Sequence, residues 1–229
     1  MTAAHWSLPL ECRIVRVAQP SDEWLDLRRT RITTSRLGDV CAGKDTKRYQ
    51  QYRKEKVLEL LGNKQVELTP EWAAHGKENE PRALAGYTYK YGIQLEHNVF
   101  LIHKKFDWLA CSPDFFHLPD YNEGGEIKCR EMYKNYRKIR DECEYYKGQA
   151  RCIPACDRRQ VQGAMWLTGF DFWWYVNYYV GSDLEGGQTQ KIHRIAVPRD
   201  QKMIDTMEVR CLEFLKEGYD RAELDFENR

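Results

Sequence analysis

Two carboxylates and a lysine carry the chemistry most plainly available to this chain: Asp114 in Cys111-Ser112-Pro113-Asp114, and Glu126 and Lys128 in Glu126-Ile127-Lys128. Eleven residues separate Asp114 from Glu126, among them the turn-forming run Asp120-Tyr121-Asn122-Glu123-Gly124-Gly125. Residues i and i+2 of a strand project to one face. A strand over Glu126–Cys129 therefore sends the Glu126 carboxylate and the Lys128 ammonium into one pocket, and a hairpin returns Asp114 to it. Oxygen ligands of this kind hold hard divalent cations beside a phosphodiester, with the lysine placed to position a water or to meet developing charge. Taken alone, Glu126 and Lys128 also fit an exposed ion pair on one strand face. Three further features favour a metal-dependent nuclease: Asp114 closes an apolar strand, Glu80 offers a third carboxylate, and Gln160 and Gln162 offer amide donors.

The elements that must position these groups follow from periodicity and punctuation. Ser21 caps a helix over Ser21–Arg31 whose buried face is Trp24 and Leu27, and Thr33-Thr34-Ser35 caps a second one through Val40. Tyr49–Leu61 is amphipathic, with Tyr49, Tyr52, Leu58 and Leu61 inward, and Gly62 ends it. Pro70 opens a helix carrying Trp72, Gly76, Lys77 and Glu80; Pro81 kinks or restarts it, and Gly86 or Gly92 closes it. Strands are predicted at Gln94–His103, Trp108–Ser112 and Glu126–Cys129, as a meander. Helices at Met132–Tyr146 and Pro154–Leu167, strands at Phe172–Val180 and Lys191–Val197, and a helix at Asp200–Glu217 complete the order. This is an α/β or α+β class with a mixed central sheet flanked by helices. It is read as one domain over 1–229, with a helical part to about 92 and a sheet core from about 93.

Composition bounds the partners. Charged residues are 31% and hydrophobic ones 42% of 229, a globular balance. No apolar run approaches the roughly 18 residues of a membrane span, and Met1–Leu10 lacks a basic start and cleavage site, so a cytoplasmic protein is expected. Net charge is only +1, but it is segregated: Lys128–Arg140 holds six basic residues against Glu131, and Lys44–Lys56 is likewise basic. Either segment is a solvated helix face or part of a basic groove. Eight cysteines without an export signal are expected as reduced thiols. Cys143, Cys152 and Cys156 lack the close pairs typical of zinc or iron–sulfur sites.

Six ordered blocks give the chain a family likeness. They are Trp24-x-x-Leu27-Arg28, Ile32-Thr33-Thr34-Ser35, Gly76-Lys77-x-x-Glu80, Ala110-Cys111-Ser112-Pro113-Asp114, Glu126-Ile127-Lys128-Cys129 and Gln160-Val161-Gln162-x-x-Met165-Trp166. On these the chain resembles the lambda exonuclease and phage alkaline exonuclease (YqaJ-like) family of the PD-(D/E)xK nuclease superfamily. The resemblance implies a PD-(D/E)xK core and a 5′→3′ exonuclease acting on linear double-stranded DNA with 5′-phosphate ends. Products would be 5′-mononucleotides and a 3′ single-stranded tail. It implies two Mg²⁺ ions (Mn²⁺ as a substitute) held by Asp114, Glu126, the Ile127 carbonyl and Glu80, with Lys128 orienting or activating the attacking water. Arg28 and Ser35 match the pocket for the terminal phosphate, and Ser112 and Gln160 match contacts to the scissile phosphate.

The family splits the terminal base pair with apolar side chains before its Gly-Lys; here Trp72 or His75 stands for that wedge, since Ala73 is small. A ring-shaped homotrimer, a single-strand annealing recombinase as partner and a phage or prophage origin follow from the same resemblance. Pro81, directly after Glu80, departs from the lambda pattern, and Ala164 and Trp166 depart from cousins that carry Gln-x-x-x-Tyr. Two rival readings are an iron–sulfur nuclease of the CRISPR-associated type and a catalytically inactive DNA-binding module of the same fold.

Overall fold

Val99-Phe100-Leu101-Ile102, followed by His103, is apolar without alternation, the pattern of a strand covered on both faces. In the computed structural model, which describes residues 11–63 and 71–227, all five are buried as strand β4 (Val99–His103). β4 lies between β1 (Cys12–Arg16) and β5 (Leu109–Cys111), antiparallel to both, and β2 (Ile32–Thr33) joins β5 in parallel. A second sheet has the order β3 (Leu95–Glu96), β6 (Phe115–His117), β7 (Gly124–Arg130), β8 (Phe172–Ser182), β9 (Gln188–Pro198). Within it β7 and β8 are parallel and the other neighbours antiparallel.

Both sheets are mixed, and helices flank them: α1 (Asp22–Arg28), α2 (Leu37–Val40), α3 (Lys47–Leu60), α4 (Glu71–Tyr91), α5 (Tyr133–Tyr145), α6 (Ala155–Thr168) and α7 (Gln201–Glu227). The expected α/β class with helices flanking mixed sheet is therefore observed, with two sheets in place of the one central sheet expected. The helix that ties it together is α6, where Val161 through Thr168 are buried without interruption. It packs on α2, α7, β8 and the 3-10 turn Thr34–Arg36. Gly163 makes that approach possible, since a Cβ there would sit 2.3 Å from Leu37 Cδ1. Gly169, in the left-handed region, ends the helix.

Several expectations change in detail. The single strand read over Gln94–His103 is two, β3 and β4, in different sheets, because Asn98 turns the chain with φ of 64°. This removes the simple meander. The part before residue 93 is not purely helical: β1 and β2 cross into the sheet, where the half-exposed β1 had no alternation to betray it. α4 runs through Pro81 as one helix; the proline lacks only the donor to the Lys77 carbonyl. The inward face of α3 is Tyr49, Tyr52, Lys56 and Val57, with Leu58 and Leu61 half-buried. Met1–Leu10 and Pro70 lie outside the described residues.

Candidate active site

Six consecutive pairs, from Gly125 opposite Trp174 to Arg130 opposite Tyr179, fix the register of β7 on β8. That register sets parity, so Glu126, Lys128 and Arg130 share a face. Two glycines let the start of β7 lie against aromatic rings: a Cβ at Gly124 would fall 2.3 Å from the Trp173 ring, and one at Gly125 2.0 Å from the Phe115 ring.

Asp114 sits between β5 and β6 and is brought back by the hairpin as expected. Its amide donates to the Gly125 carbonyl (3.2 Å), and its Oδ2 accepts from the Ile127 amide (2.5 Å). Glu126 is only 4% exposed. Its Oε1 accepts from Lys128 Nζ (2.8 Å) and from Gln160 Nε2 (2.6 Å), while Gln160 Oε1 accepts from Lys128 Nζ (3.0 Å). Glu126, Lys128 and Gln160 thus form a closed triangle between β7 and the first turns of α6.

The acids crowd one another. Burial pushes the Asp114 carboxyl well above its ordinary range, and the nearby Glu126 and Glu80 carboxylates add to it. Burial also raises Glu126, opposed chiefly by Lys128, and raises Glu80, where Glu126 adds repulsion. Lys128 shows the converse: burial lowers its pKa, but Glu126, Asp157 and Asp114 outweigh that and the net direction is up. One ammonium thus serves several carboxylates. A group of acid oxygens with unmet negative charge is the donor type that hard divalent cations take, so the residues fit magnesium in kind. Among the described residues no three His, Cys, Asp or Glu side chains form a ready metal cage. Asp114 is engaged by the Ile127 amide, and Glu126 by Lys128 and Gln160.

Glu80 and Asp114 open onto a cleft of about 740 Å³, whose wall includes Trp24, Lys77 and Pro81. Ser112 and Arg28 meet through Trp24. The indole Nε1 donates to Ser112 Oγ (2.9 Å), and the Arg28 guanidinium lies 4.3 Å from the Trp24 ring centroid. Ser35 is exposed on the 3-10 turn, its Oγ 3.2 Å from Thr33 Oγ1. His75, half-buried on α4, has its Nδ1 3.4 Å from the amide nitrogen of Asn79. Trp72 lies in the first turn of the same helix, with its side chain outside the described set.

Gln162 does not join the site. Fully buried, it donates to the Pro198 carbonyl (2.9 Å) and accepts from the Asp200 amide (2.8 Å), so both ends of the amide bind backbone. Helix phase explains it: two residues on from Gln160 is the opposite side of α6. Asp157 and Arg130 were missed. Asp157 acts on both Glu126 and Lys128; its Oδ2 accepts from Tyr175 (2.6 Å) and lies 3.7 Å from Arg130. The signal was available, since Arg130 is i+2 from Lys128 on the strand and Asp157 is i−3 from Gln160 on the helix. Cys143 and Cys152 are buried, Cys156 is exposed, and all eight thiols are free.

Residues 23–171 match the family model described as the YqaJ-like viral recombinase domain. No curated protein matches the sequence. Among solved structures, the alkaline exonuclease LHK-Exo from Laribacter hongkongensis superposes with a TM-score of 0.71 at 23% identity, over 91% of this chain and 97% of that one. Its complex with dAMP gives 0.69 at 24% identity, with the same coverage. A phage-related exonuclease from Haemophilus somnus 129PT gives 0.59 at 17% identity, over 88% and 99%. The fold is that of these exonucleases.

Proposed function

Because the chain belongs to the YqaJ-like viral recombinase domain family, we propose that it is a divalent-cation-dependent exonuclease. It degrades the 5′-ended strand of linear duplex DNA to mononucleotides and leaves a 3′ tail. The observation that carries this reading is the Glu126–Lys128–Gln160 triangle beside Asp114 and Glu80, acid oxygens raised in pKa by burial and mutual repulsion.

Two Mg²⁺ ions, or Mn²⁺ in their place, would be held by Asp114, Glu126, Glu80 and the Ile127 carbonyl, and would supply Lewis acidity to the phosphate and a more acidic water. Lys128, fixed from two sides, donates to the attacking water or the scissile phosphate. Gln160 holds that ammonium and the Glu126 carboxylate in one orientation, which limits reorganisation during the reaction. Ser112 faces the same phosphate, and its bond to Trp24 ties it to the Arg28 end of the cleft. Arg28, with Ser35, grips the terminal 5′-phosphate as a planar donor fork, so each cut presents a fresh end. Trp72 or His75, on α4 ahead of Glu80, parts the terminal base pair. A homotrimeric ring and a single-strand annealing recombinase taking up the tail complete the proposal, with a phage-encoded origin and a site of action in the host cytoplasm.

The test uses linear duplex labelled at either end, with 5′-phosphate or 5′-hydroxyl termini, in Mg²⁺ or EDTA. Mg²⁺-dependent release of the 5′ label, faster from phosphorylated ends, is expected. Loss of the 3′ label or internal cutting overturns the polarity, and no hydrolysis under any cation overturns the enzyme. Lys128→Ala should abolish cleavage and retain DNA binding in EDTA; cleavage at the wild-type rate removes Lys128 from the chemistry.

A further inference from the structure

Across α6 from the carboxylates lies a second cavity, of about 470 Å³, whose lining includes Cys41, Arg159, Asp200, Lys202, Met203 and Arg210. Adjacent helix residues differ by about 100° in direction, so where Gln160 turns to β7, Arg159 turns to the end of α2 and the start of α7. Burial raises the Cys41 thiol pKa, and the neighbouring Arg159, Arg210 and Arg48 oppose that rise. Among the described residues neither Arg159 nor Lys202 has a carboxylate at ion-pair distance. Arg210 is paired with Glu213 at 3.1 Å and Arg48 with Asp39 at 2.8 Å.

Asp200 is the one acid in the lining, and its Oδ1 is spent on the Met203 amide (3.0 Å), capping α7. The cavity therefore places two cations without acid partners at the start of the 27-residue helix α7, whose end Asp200 already caps. Nothing in the carboxylate chemistry uses it.

We propose that this cavity is a second phosphate-binding site, separate from the terminal-phosphate pocket around Arg28. Arg159 supplies the planar fork and Lys202 the point charge. The choice of phosphate over other anions rests on the proposed action on DNA. The phosphate comes either from a DNA strand running over α6 or from a free mononucleotide.

Cys41 in the lining gives a readout that needs no catalysis: its alkylation by iodoacetamide in EDTA, mapped by peptide mass spectrometry, with exposed Cys156 as internal reference. Inorganic phosphate, a deoxynucleoside 5′-monophosphate and a blunt duplex are the three probes. At least one should slow Cys41 alkylation several-fold in the wild type, and Arg159→Gln and Lys202→Gln should each remove most of that protection. Protection by duplex alone assigns the site to a strand, and the salt dependence of duplex binding should then fall by about one unit of slope in each variant. Protection by phosphate and the monophosphate alone assigns it to free product. No protection by any probe, or protection unchanged in both variants, overturns the site. Lys202 is exposed, so its variant carries the test if Arg159→Gln does not fold. Failure of the exonuclease reading would show separately, as a wild type that leaves labelled duplex intact in Mg²⁺.

Discussion

Gln160 is the residue on which the proposed chemistry turns most narrowly. It touches both the carboxylate and the ammonium of the cluster, donating to one and accepting from the other. Removing it leaves Lys128 tethered on one side only. Gln160→Ala should lower kcat about 10- to 100-fold, roughly 1.4–2.7 kcal/mol of barrier, with duplex affinity in EDTA within about threefold of wild type. Single-turnover cleavage set against equilibrium binding separates the two; an equal loss in both would make Gln160 a plain DNA contact. Asp114, Glu126 and Lys128 were legible in the sequence because strand parity and one hairpin bring them together. Trp24 was legible only as a core residue. Its bond to Ser112 spans 88 positions, and no local pattern encodes such a contact.

At the scale of elements, α4 and α6 carry site residues toward β7 from different directions, and each is pinned by contacts that can be altered. The α6 contact rests on Gly163. Gly163→Ala places a methyl against Leu37 and Thr34, and such overpacking costs about 1–3 kcal/mol. Urea denaturation should show that loss, whereas an unchanged midpoint would mean the 3-10 turn carrying Ser35 gives way freely. The α4 contact runs through His117: Tyr87 on α4 bonds its Nε2 (3.0 Å), and Glu123 faces its Nδ1 (2.8 Å).

Burial lowers the His117 pKa below its ordinary 6.5, against the pull of Glu123. A depressed histidine contributes stability that is present above 6.5 and is lost as pH falls through the lower folded value. Unfolding free energy should therefore fall as pH drops below about 6.5, and less steeply in His117→Gln. Equal slopes would show that the imidazole does not couple the helix to the sheet. These contacts also lie beyond what a local sequence pattern displays. The strands β6 and β2 have three and two residues, too short to display a period, and they became visible only with their partners in place.

For the molecule as a whole, nearly balanced charge conceals segregation, and part of the basic surface is already spent. Lys44 and Arg53 on or beside α3 reach across to Glu217 of α7, so acid from the closing helix neutralises some of the first basic segment. Lys128–Arg140 likewise splits: Lys128 and Arg130 turn inward to bind Glu126 and Asn177, and the surface keeps the rest. Composition could not make that division, because it depends on which strand face is covered. Among the described residues no helix is long and apolar enough to cross a membrane. The proposed ring predicts an assembly of about three times the 27.2 kDa protomer by light scattering. A monomer at micromolar concentration would remove topological threading as the source of processivity.

The β8–β9 ladder extends past the last residue paired with β7: Tyr179 is opposite Arg130, but the two strands continue to Ser182 and Gln188 and turn through Asp183–Gly187. Chain length can change at that tip without altering which side of the sheet Glu126 and Lys128 address. One residue gained or lost inside Gly125–Arg130 would instead invert every side chain beyond it. Insertions and deletions in descendants of this sequence, and tags placed by an engineer, should therefore be tolerated at the tip and purged from the strand beside it.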